Sequence, residues 1–326
     1  MTAFSFDAYV TAVLFDDQGA VFALGDGGVR FESGQTAEAH PDAGALAAAV
    51  HPGGRGVVTG GDDGRLVWST TEGATLLAEA DGRWIESVAT SSASGLIAYG
   101  AGKTARVADA RDPAFSRVFS LEHTVAAVAL DGAGRRLAAA TYGGAALWFA
   151  RVAEQKPTFL KWAGSHVAAA FSPDGKFLVT AMQENALHAW RLSDGKSLRM
   201  GGYPGKPTSA AFLAGGRLMA TSGAAGAVVW PFGRSDGPAD KQASEIGYEE
   251  GARVTRVASA PGATTLAAGL ADGRVWVADT RSTRIVWVRQ EGDAEITALA
   301  LTPDGRRLAW GDENGAAEIL DVPELS

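Results

Sequence analysis

The side chains best suited to chemistry in this sequence lie close together near the middle of the chain. His166, Thr180 and Glu184 supply an imidazole, a hydroxyl and a carboxylate, the three groups of a nucleophilic triad. His188 would add a second base. Because strand side chains two residues apart share a face, His188 and Trp190 should point the same way, which predicts a neutral histidine in a core. Whether these residues act in catalysis or in packing depends on the strands and turns that carry them.

Composition and motifs exclude several kinds of chemistry. The chain has no cysteine, which removes disulfides, thiolate metal sites and cysteine nucleophiles. The five histidines are spread out without metal-ligand spacing, so we expect no metal and no cofactor. The segment YGAGKTA (99–105) ends like a phosphate-binding loop, but Ile97 stands where the first glycine belongs. We predict that the protein is not an enzyme.

The charge balance limits the kinds of partner. The net charge is −8 and no basic block occurs, so we expect neither nucleic acid nor a membrane surface as a partner. The N-terminal segment has no positive region and carries Asp7, so it does not resemble a signal peptide. We expect a cytoplasmic protein that is a monomer or a subunit of a hetero-complex.

Short apolar runs recur about every 40 residues, each followed by a turn rich in Gly, Asp or Pro. A second run, a second turn and a third run ending near an aromatic residue complete each repeat. Such runs predict β-hairpins, and the 42 glycines suit the turns. Each repeat is therefore predicted to be a small antiparallel sheet. The eight repeats begin with VTAVLFDDQG, LAAAVHPGG, IESVATSSASG, VAAVALDGAG, VAAAFSPDG, PTSAAFLAGG, VTRVASAPGA and ITALALTPDG.

Three of the repeats, HPGGRGVVTGGDDGRLVW, FSPDGKFLVTAMQENALHAW and LTPDGRRLAWGDENGAAEILD, resemble units of the WD-repeat family. The resemblance covers residues 9–326, although no repeat has Trp followed by Asp. Members of this family fold as β-propellers with one four-stranded blade per repeat. The resemblance therefore implies that architecture for this chain.

The repeat count predicts an all-β fold, a single eight-bladed β-propeller of four-stranded antiparallel blades spanning residues 1–326. Seven blades with one irregular repeat are the alternative. The last repeat supplies only three strands, while AFSF (3–6) is a spare apolar segment at the start of the chain. We therefore expect residues 3–6 to complete the last blade as its outer strand and to close the ring.

The resemblance also implies polar networks that tie each blade together. In the family, a His before the first strand is joined to a Ser or Thr, an acidic turn residue and a Trp. The fifth repeat has the closest set of these residues: His166, Thr180, Glu184 and Trp190. The second repeat has Thr59, Asp63 and Trp68 but no histidine in register, because His40 is expected in a loop.

Function on a repeat scaffold resides mostly in loops, because the strands are committed to packing. Trp and Arg are frequent interface anchors, so Arg83, Trp84 and Tyr142 lead the prediction. For Trp84 and Trp162, packing between blades is the alternative. The full set of predicted partner-binding residues is Arg83, Trp84, Lys103, Tyr142, His166, Glu184 and Arg253.

The predicted function is a non-catalytic scaffold or adaptor that binds a protein or peptide on one face of the propeller. A small-molecule-sensing or hydrolytic propeller that uses the mouth of the central channel is the alternative. The extra length at residues 231–251 predicts an enlarged loop on the opposite face, with a negative tip at Glu249 and Glu250. This loop either recruits a partner or is a tolerated insertion.

Overall fold

The computed structural model describes residues 1–325, which form β-strands joined by turns. The chain divides into two compact units. The first unit consists of Met1–Phe15 and Met200–Ser326, and the second consists of Asp16–Arg199. Among the described residues, no helix is long and apolar enough to cross a membrane.

The first unit contains three four-stranded antiparallel sheets, with the strand orders β20-β21-β22-β23, β24-β25-β26-β27 and β1-β30-β29-β28. A single 3-10 turn, Ala214–Gly216, follows β20. The strands are β1 (Thr2–Ser5), β2 (Val10–Asp16), β20 (Ala210–Leu213), β21 (Leu218–Thr221), β22 (Ala227–Pro231), β23 (Ser244–Ile246), β24 (Val254–Ser259), β25 (Thr265–Leu270), β26 (Val275–Asp279), β27 (Ile285–Arg289), β28 (Ile296–Leu301), β29 (Arg307–Asp312) and β30 (Ala316–Asp321).

The N-terminal strand β1 lies beside the C-terminal strand β30. The two are antiparallel, with Thr2 opposite Ile319 and Ser5 opposite Ala316. The Phe6 N–H donates to the Gly315 carbonyl at 2.9 Å, which extends the pairing by one bond. The outer strand of this sheet therefore begins one residue before the predicted range 3–6. That residues 1–326 form a single domain stays a prediction.

The second unit is built from antiparallel sheets of the same kind. Its strands β6-β7-β8-β9 and β10-β11-β12-β13 form two four-stranded sheets, and β14 to β19 form a six-stranded sheet. The strands are β3 (Gly19–Leu24), β4 (Gly28–Phe31), β5 (Thr36–Glu38), β6 (Ala45–Val50), β7 (Val57–Gly61), β8 (Arg65–Thr70), β9 (Gly73–Glu79), β10 (Ile85–Ser91), β11 (Leu96–Ala101), β12 (Thr104–Asp109), β13 (Asp112–Ser120), β14 (Ala127–Leu130), β15 (Arg136–Phe149), β16 (Thr158–Phe171), β17 (Phe177–Met182), β18 (Ala186–Arg191) and β19 (Ser197–Met200).

The six-stranded sheet contains two of the predicted repeats. Its strands β15 and β16 have 14 residues each, and each pairs with a different neighbour at either end. The Ala150 N–H donates to the Arg135 carbonyl at 2.9 Å, so β15 folds back on itself. The fourth and fifth repeats therefore meet in one continuous strand, β16, whose first half pairs with β15 and whose second half pairs with β17.

Over residues 1–325 the strands form seven sheets, the remaining one having the order β2-β3-β4-β5. The fold class is an all-β propeller of four-stranded antiparallel blades, as predicted. The count of seven matches the alternative with one irregular repeat. Eight separate blades are not confirmed, because backbone pairing continues through β15 and β16 where the sequence predicted a break.

Glycines in the second strand of a repeat let the next repeat pack closely. A Cβ on Gly60 would lie 2.3 Å from the Ile85 Cγ2 atom, and a Cβ on Gly269 would lie 2.4 Å from the Ile296 Cγ2 atom. Both isoleucines open the first strand of the following repeat and are fully buried. Apolar burial of this kind is the main stabilising contribution in each sheet-to-sheet contact.

Candidate functional site

Five of the predicted partner-binding residues are exposed side chains of the second unit. They are Arg83, Trp84, Lys103, Tyr142 and Glu184. Trp84 and Tyr142 are 59% and 62% exposed, which is unusual for aromatic side chains of this size. The alternative for Trp84 was packing between blades. A side chain packed in that way would be mostly buried, so the exposure of Trp84 does not fit this alternative.

Two of the predicted residues do not belong with this set. His166 is 0% exposed, so a partner cannot touch it, and its predicted binding role is corrected. Its Nδ1 lies 2.7 Å from the Thr180 hydroxyl and its Nε2 lies 3.1 Å from the Trp162 carbonyl. Arg253 lies in the first unit, where it pairs with Glu295 at 2.9 Å.

Backbone contacts connect the first three exposed residues. A Cβ on Gly102 would lie 2.9 Å from the Arg83 Cδ atom, so the Arg83 side chain covers this turn. The Leu121 N–H donates to the Lys103 carbonyl at 2.9 Å. These contacts place Arg83 beside the turn at Gly102 and Lys103, and they place that turn beside the loop that leads into β14.

The other two exposed residues, Tyr142 and Glu184, are connected to that loop by a ring contact, a strand pair and a hydrogen bond. The rings of His123 and Tyr142 meet edge to face, with centroids 5.5 Å apart. Tyr142 is paired with Ser165, whose N–H donates to a Glu184 carboxylate oxygen at 3.0 Å. The contacts therefore run without interruption from Arg83 to Glu184. We call the exposed residues along this path the candidate surface: Arg83, Trp84, Lys103, Glu122, His123, Tyr142, Phe159, Lys161, Trp162 and Glu184.

A groove of about 530 Å³ lies within the candidate surface. Its walls include the aromatic side chains of Tyr142, Phe159 and Trp162, together with Pro157 and Lys161. The sequence prediction missed Phe159 and Pro157, although the exposed aromatic residues of the stretch PTFLKW were a detectable signal. This volume falls in the range of small-ligand and peptide side-chain pockets.

Trp162 lines the groove and also packs against a buried side chain of the core. Its ring stacks on His188 with the centroids 4.1 Å apart and the planes at 22°, while 37% of the residue stays exposed. Both readings of Trp162, packing and surface contact, therefore apply. His188 also contacts Trp190 at 4.5 Å between ring centroids, as expected for residues on one face of β18.

His188 is fully buried, and neither of its ring nitrogens has a hydrogen-bond partner. The pKa of His188 is lowered to about 4, chiefly by burial and to a smaller extent by the nearby His166 and Arg199. The pKa of His166 is also lowered, chiefly by burial. The predicted neutral core histidine is confirmed, but its polar atoms are not satisfied.

We expect the free energy of unfolding to fall as the pH is lowered from about 6.5 to about 4. In this window the unfolded chain binds a proton at His188 that the folded protein excludes. The shift from the ordinary value of 6.5 to about 4 corresponds to a loss of up to about 3 kcal/mol. Urea unfolding between pH 7 and pH 4 measures this loss.

A matched pair of variants assigns the pH dependence to His188. His188→Leu should flatten the slope and cost little at pH 7, because no hydrogen bond of the ring is lost. The exposed His123→Leu should retain the slope. An unchanged slope in His188→Leu would mean that other groups cause the acid sensitivity.

His40 completes a polar network that the sequence prediction missed. Its Nδ1 lies 3.1 Å from an Asp63 carboxylate oxygen and its Nε2 lies 2.9 Å from the Thr59 hydroxyl. His40 lies in a loop between β5 and β6, as predicted, but the prediction that the second repeat has no histidine in register is wrong. His40 turns inward and is 0% exposed. Trp68 does not join this network, since its Nε1 donates to the Arg55 carbonyl at 2.8 Å.

The His40 network has the order of groups found in a nucleophilic triad: hydroxyl, imidazole and carboxylate. Thr59 and His40 are both fully buried, however, so a substrate carbonyl cannot reach the hydroxyl oxygen. The same holds for Thr180 and His166. These arrangements can hold a blade together, but as they stand they cannot attack a substrate.

A G-x-S-x-G sequence, GRSDG at residues 233–237, was also missed at the sequence level. It lies between β22 and β23, and in the described part of the first unit no helix follows it. The first unit has no histidine in its sequence to act as a base. The motif therefore lacks the strand-turn-helix context of a nucleophile elbow. Within residues 1–325, no three His, Cys, Asp or Glu residues are grouped to hold a metal ion.

The first unit carries a groove of about 630 Å³ on the sheet β20–β23. It is lined in part by Tyr203, Trp230 and Tyr248. The Tyr203 hydroxyl lies 2.6 Å from the Thr221 hydroxyl and accepts a hydrogen bond from Trp230 Nε1 at 2.6 Å, while burial raises the pKa of Tyr203 to about 12. Tyrosine here takes the place that histidine has in the other networks.

The segment 231–251 is not simply an enlarged loop. It contains β23, the outer strand of its sheet, which pairs with β22. Glu249 pairs with Arg274 at 2.6 Å, so the predicted negative tip is partly neutralised. The predicted recruitment of a partner by this segment stays a prediction.

Comparisons with known proteins agree with the architecture. The family model of the anaphase-promoting complex subunit 4 WD40 domain matches residues 257–325. WD repeat-containing protein 55 of Pongo abelii is 24% identical over 207 residues, and that of Homo sapiens is 23% identical over the same length. These matches cover 62% of this chain and 53% of each relative, so the chain spans about half the length of the curated relatives it matches.

The crystal structure of the computationally designed Ika8 protein has a TM-score of 0.76 to this chain, at 18% identity and with 98% of each chain covered. This likeness concerns the fold alone. The repeated antiparallel sheets define the class of the protein as a β-propeller. Within that class, the family-model match and the two relatives support a WD-repeat β-propeller family.

Proposed function

We propose that this chain is a non-catalytic scaffold that binds a protein or peptide partner through the candidate surface of the second unit. One observation carries the proposal: large aromatic side chains stay exposed along a connected path that also contains a groove. Exposed aromatic clusters flanked by polar residues are typical of interaction sites. WD-repeat propellers generally bind proteins, which agrees with this role.

The buried polar networks support the same proposal. The hydroxyl, imidazole and carboxylate groups that could do chemistry hydrogen-bond one another inside the sheets. Apart from Glu122 and Glu184, the side chains that remain accessible on the candidate surface are aromatic or basic, which suits recognition better than bond cleavage. The alternative of a hydrolytic or small-molecule-sensing propeller has less support from the second unit.

The test is affinity purification from the native source with matched variants. In Trp84→Ala combined with Arg83→Ala, and separately in Tyr142→Ala, we expect the affinity for the recovered partner to fall at least about tenfold. Melting temperatures should stay within about 2 °C of the parent, because all three side chains are exposed.

Phe149→Ala is the matched control, since Phe149 is 60% exposed in the same unit but lies outside the candidate surface. This variant should retain the partner. If every specific partner is retained by the Trp84/Arg83 double variant and by Tyr142→Ala, the candidate surface is not the binding surface.

A further inference from the structure

We propose that the segment bound by the candidate surface is acidic, and that an apolar or aromatic side chain beside its carboxylates occupies the groove at Tyr142 and Trp162. This inference rests on the proposed function and specifies the chemistry of the partner. It is carried by the unpaired cations of the surface and by the composition of the groove.

Three cations of the candidate surface have no carboxylate partner. Arg83, Lys103 and Lys161 are exposed, and none of them makes an ion pair within the described chain. Elsewhere in the second unit, cations do find carboxylates, as Arg136 does with Asp131 at 2.7 Å. In a chain of net charge −8, such a group of free cations is a local reversal of the overall charge.

The carboxylates of the candidate surface do not cancel these cations. Glu184 accepts a hydrogen bond from the Ser165 N–H at 3.0 Å and is held against its own turn. Glu122 lines the groove and is exposed. Three cations against two carboxylates leave a positive balance, and an acidic partner would satisfy it without displacing an existing ion pair.

The groove adds an apolar subsite next to the cations. Lys161 lines the groove itself, and Lys103 adjoins the wall formed by Leu121, whose N–H donates to the Lys103 carbonyl. A side chain seated against Tyr142, Phe159 and Trp162 would therefore have cations near it on two walls. An extended segment with a large apolar residue between acidic residues matches this arrangement.

Single-stranded nucleic acid is the competing anionic partner, since aromatic rings and cations also form stacking platforms for bases. The observations favour a peptide. Three cations are few for a site that tracks a phosphate backbone, and the chain as a whole carries a net charge of −8, which opposes a long polyanion.

The experiment uses the full chain and immobilised synthetic peptides of equal length. One series carries Trp, Phe or Pro between Glu or Asp residues at several spacings, and matched series replace the acids by Gln or by Lys. A further series keeps the acids and replaces the large residue by Ala. Hits are measured in solution by fluorescence anisotropy at low and high salt, with an oligo-dT strand as a separate probe.

We expect the best acidic peptides to bind at least about tenfold more tightly than their Gln or Lys counterparts, and to weaken as salt is raised. Lys103→Glu and Lys161→Glu should each weaken binding several-fold, and Tyr142→Ala should weaken it for peptides with the large residue. Lys196→Glu, an exposed cation of the same unit outside the surface, is the matched control.

Equal binding of acidic, neutral and basic series would overturn the inference, and so would tighter binding of oligo-dT than of any peptide. The absence of binding by every series would also overturn it. In each of these cases the proposed function survives if Trp84→Ala combined with Arg83→Ala still loses the native partner. The two failures are therefore distinguishable.

Discussion

Replacing Trp190 by alanine is expected to lower the free energy of unfolding by about 4 kcal/mol. Trp190 lies in β18, is 1% exposed and packs in the core of the six-stranded sheet against Phe171, Leu178 and Leu160. Its removal leaves a cavity that these neighbours cannot fill, because they are anchored in paired strands. Urea unfolding at pH 7 measures the change, with the m-value as a check on two-state behaviour.

Trp190→Phe separates packing from hydrogen bonding at this position. The Nε1 atom of Trp190 has no hydrogen-bond partner, so phenylalanine loses volume but no polar contact. We expect a loss of about 1–2 kcal/mol for Trp190→Phe. If phenylalanine were as damaging as alanine, an unseen role of the indole nitrogen would have to replace the packing explanation.

His40→Ala is expected to cost about 3 kcal/mol. The substitution removes two side-chain hydrogen bonds and leaves the buried Thr59 hydroxyl without its imidazole partner. It also opens space beside Gly61, where an added Cβ would lie 2.4 Å from the His40 Nδ1 atom. The loss is read from urea unfolding of the full chain.

A double-mutant cycle with Asp63→Asn tests whether His40 acts through the network. The coupling energy should be at least about 1 kcal/mol, since both residues share one hydrogen bond. His123→Ala is the control, because His123 is exposed and should change the stability by no more than about 0.5 kcal/mol. Strict additivity of His40→Ala and Asp63→Asn would contradict the network.

The two predictions have a bearing on the function. If Trp190 and the His40 network stabilise their sheets, the buried imidazoles belong to the scaffold, and recognition is left to the exposed loops. The variants chosen for the binding experiments avoid these residues for this reason. A loss of binding in Tyr142→Ala can then be separated from a loss of folding.

Sequence reasoning predicted the strands because their signals are local. The turn at Asp174 shows this: its carboxylate accepts hydrogen bonds from the Ser172 hydroxyl at 2.7 Å and from the Lys176 N–H at 3.1 Å. Serine and aspartate in such a turn bond their own backbone neighbours, so the signal is present in a few residues. The outer position of the N-terminal segment beside β30 was readable because the last repeat lacked one strand.

The exposure of individual side chains was harder to predict. His166 lies within β16 and His40 precedes β6, and the sequence assigned one to a binding surface and the other to a loop. Both are buried. Each ring is hydrogen-bonded to a threonine hydroxyl in a following strand, Thr180 for His166 and Thr59 for His40, and this bond compensates for the loss of water. Burial depends on residues 14 to 19 positions away, and a local pattern does not contain that information.

The sequence by itself determined the repeat, the strand content and the fold class, because hydrophobic alternation and turn chemistry act over a few residues. The tertiary structure decided that one continuous strand, β16, joins two repeats, that the imidazoles of His40, His166 and His188 are buried, and that Tyr142, Phe159 and Trp162 line one groove. These features arise from contacts between strands that are distant along the chain, and such contacts form only when the sheets pack together.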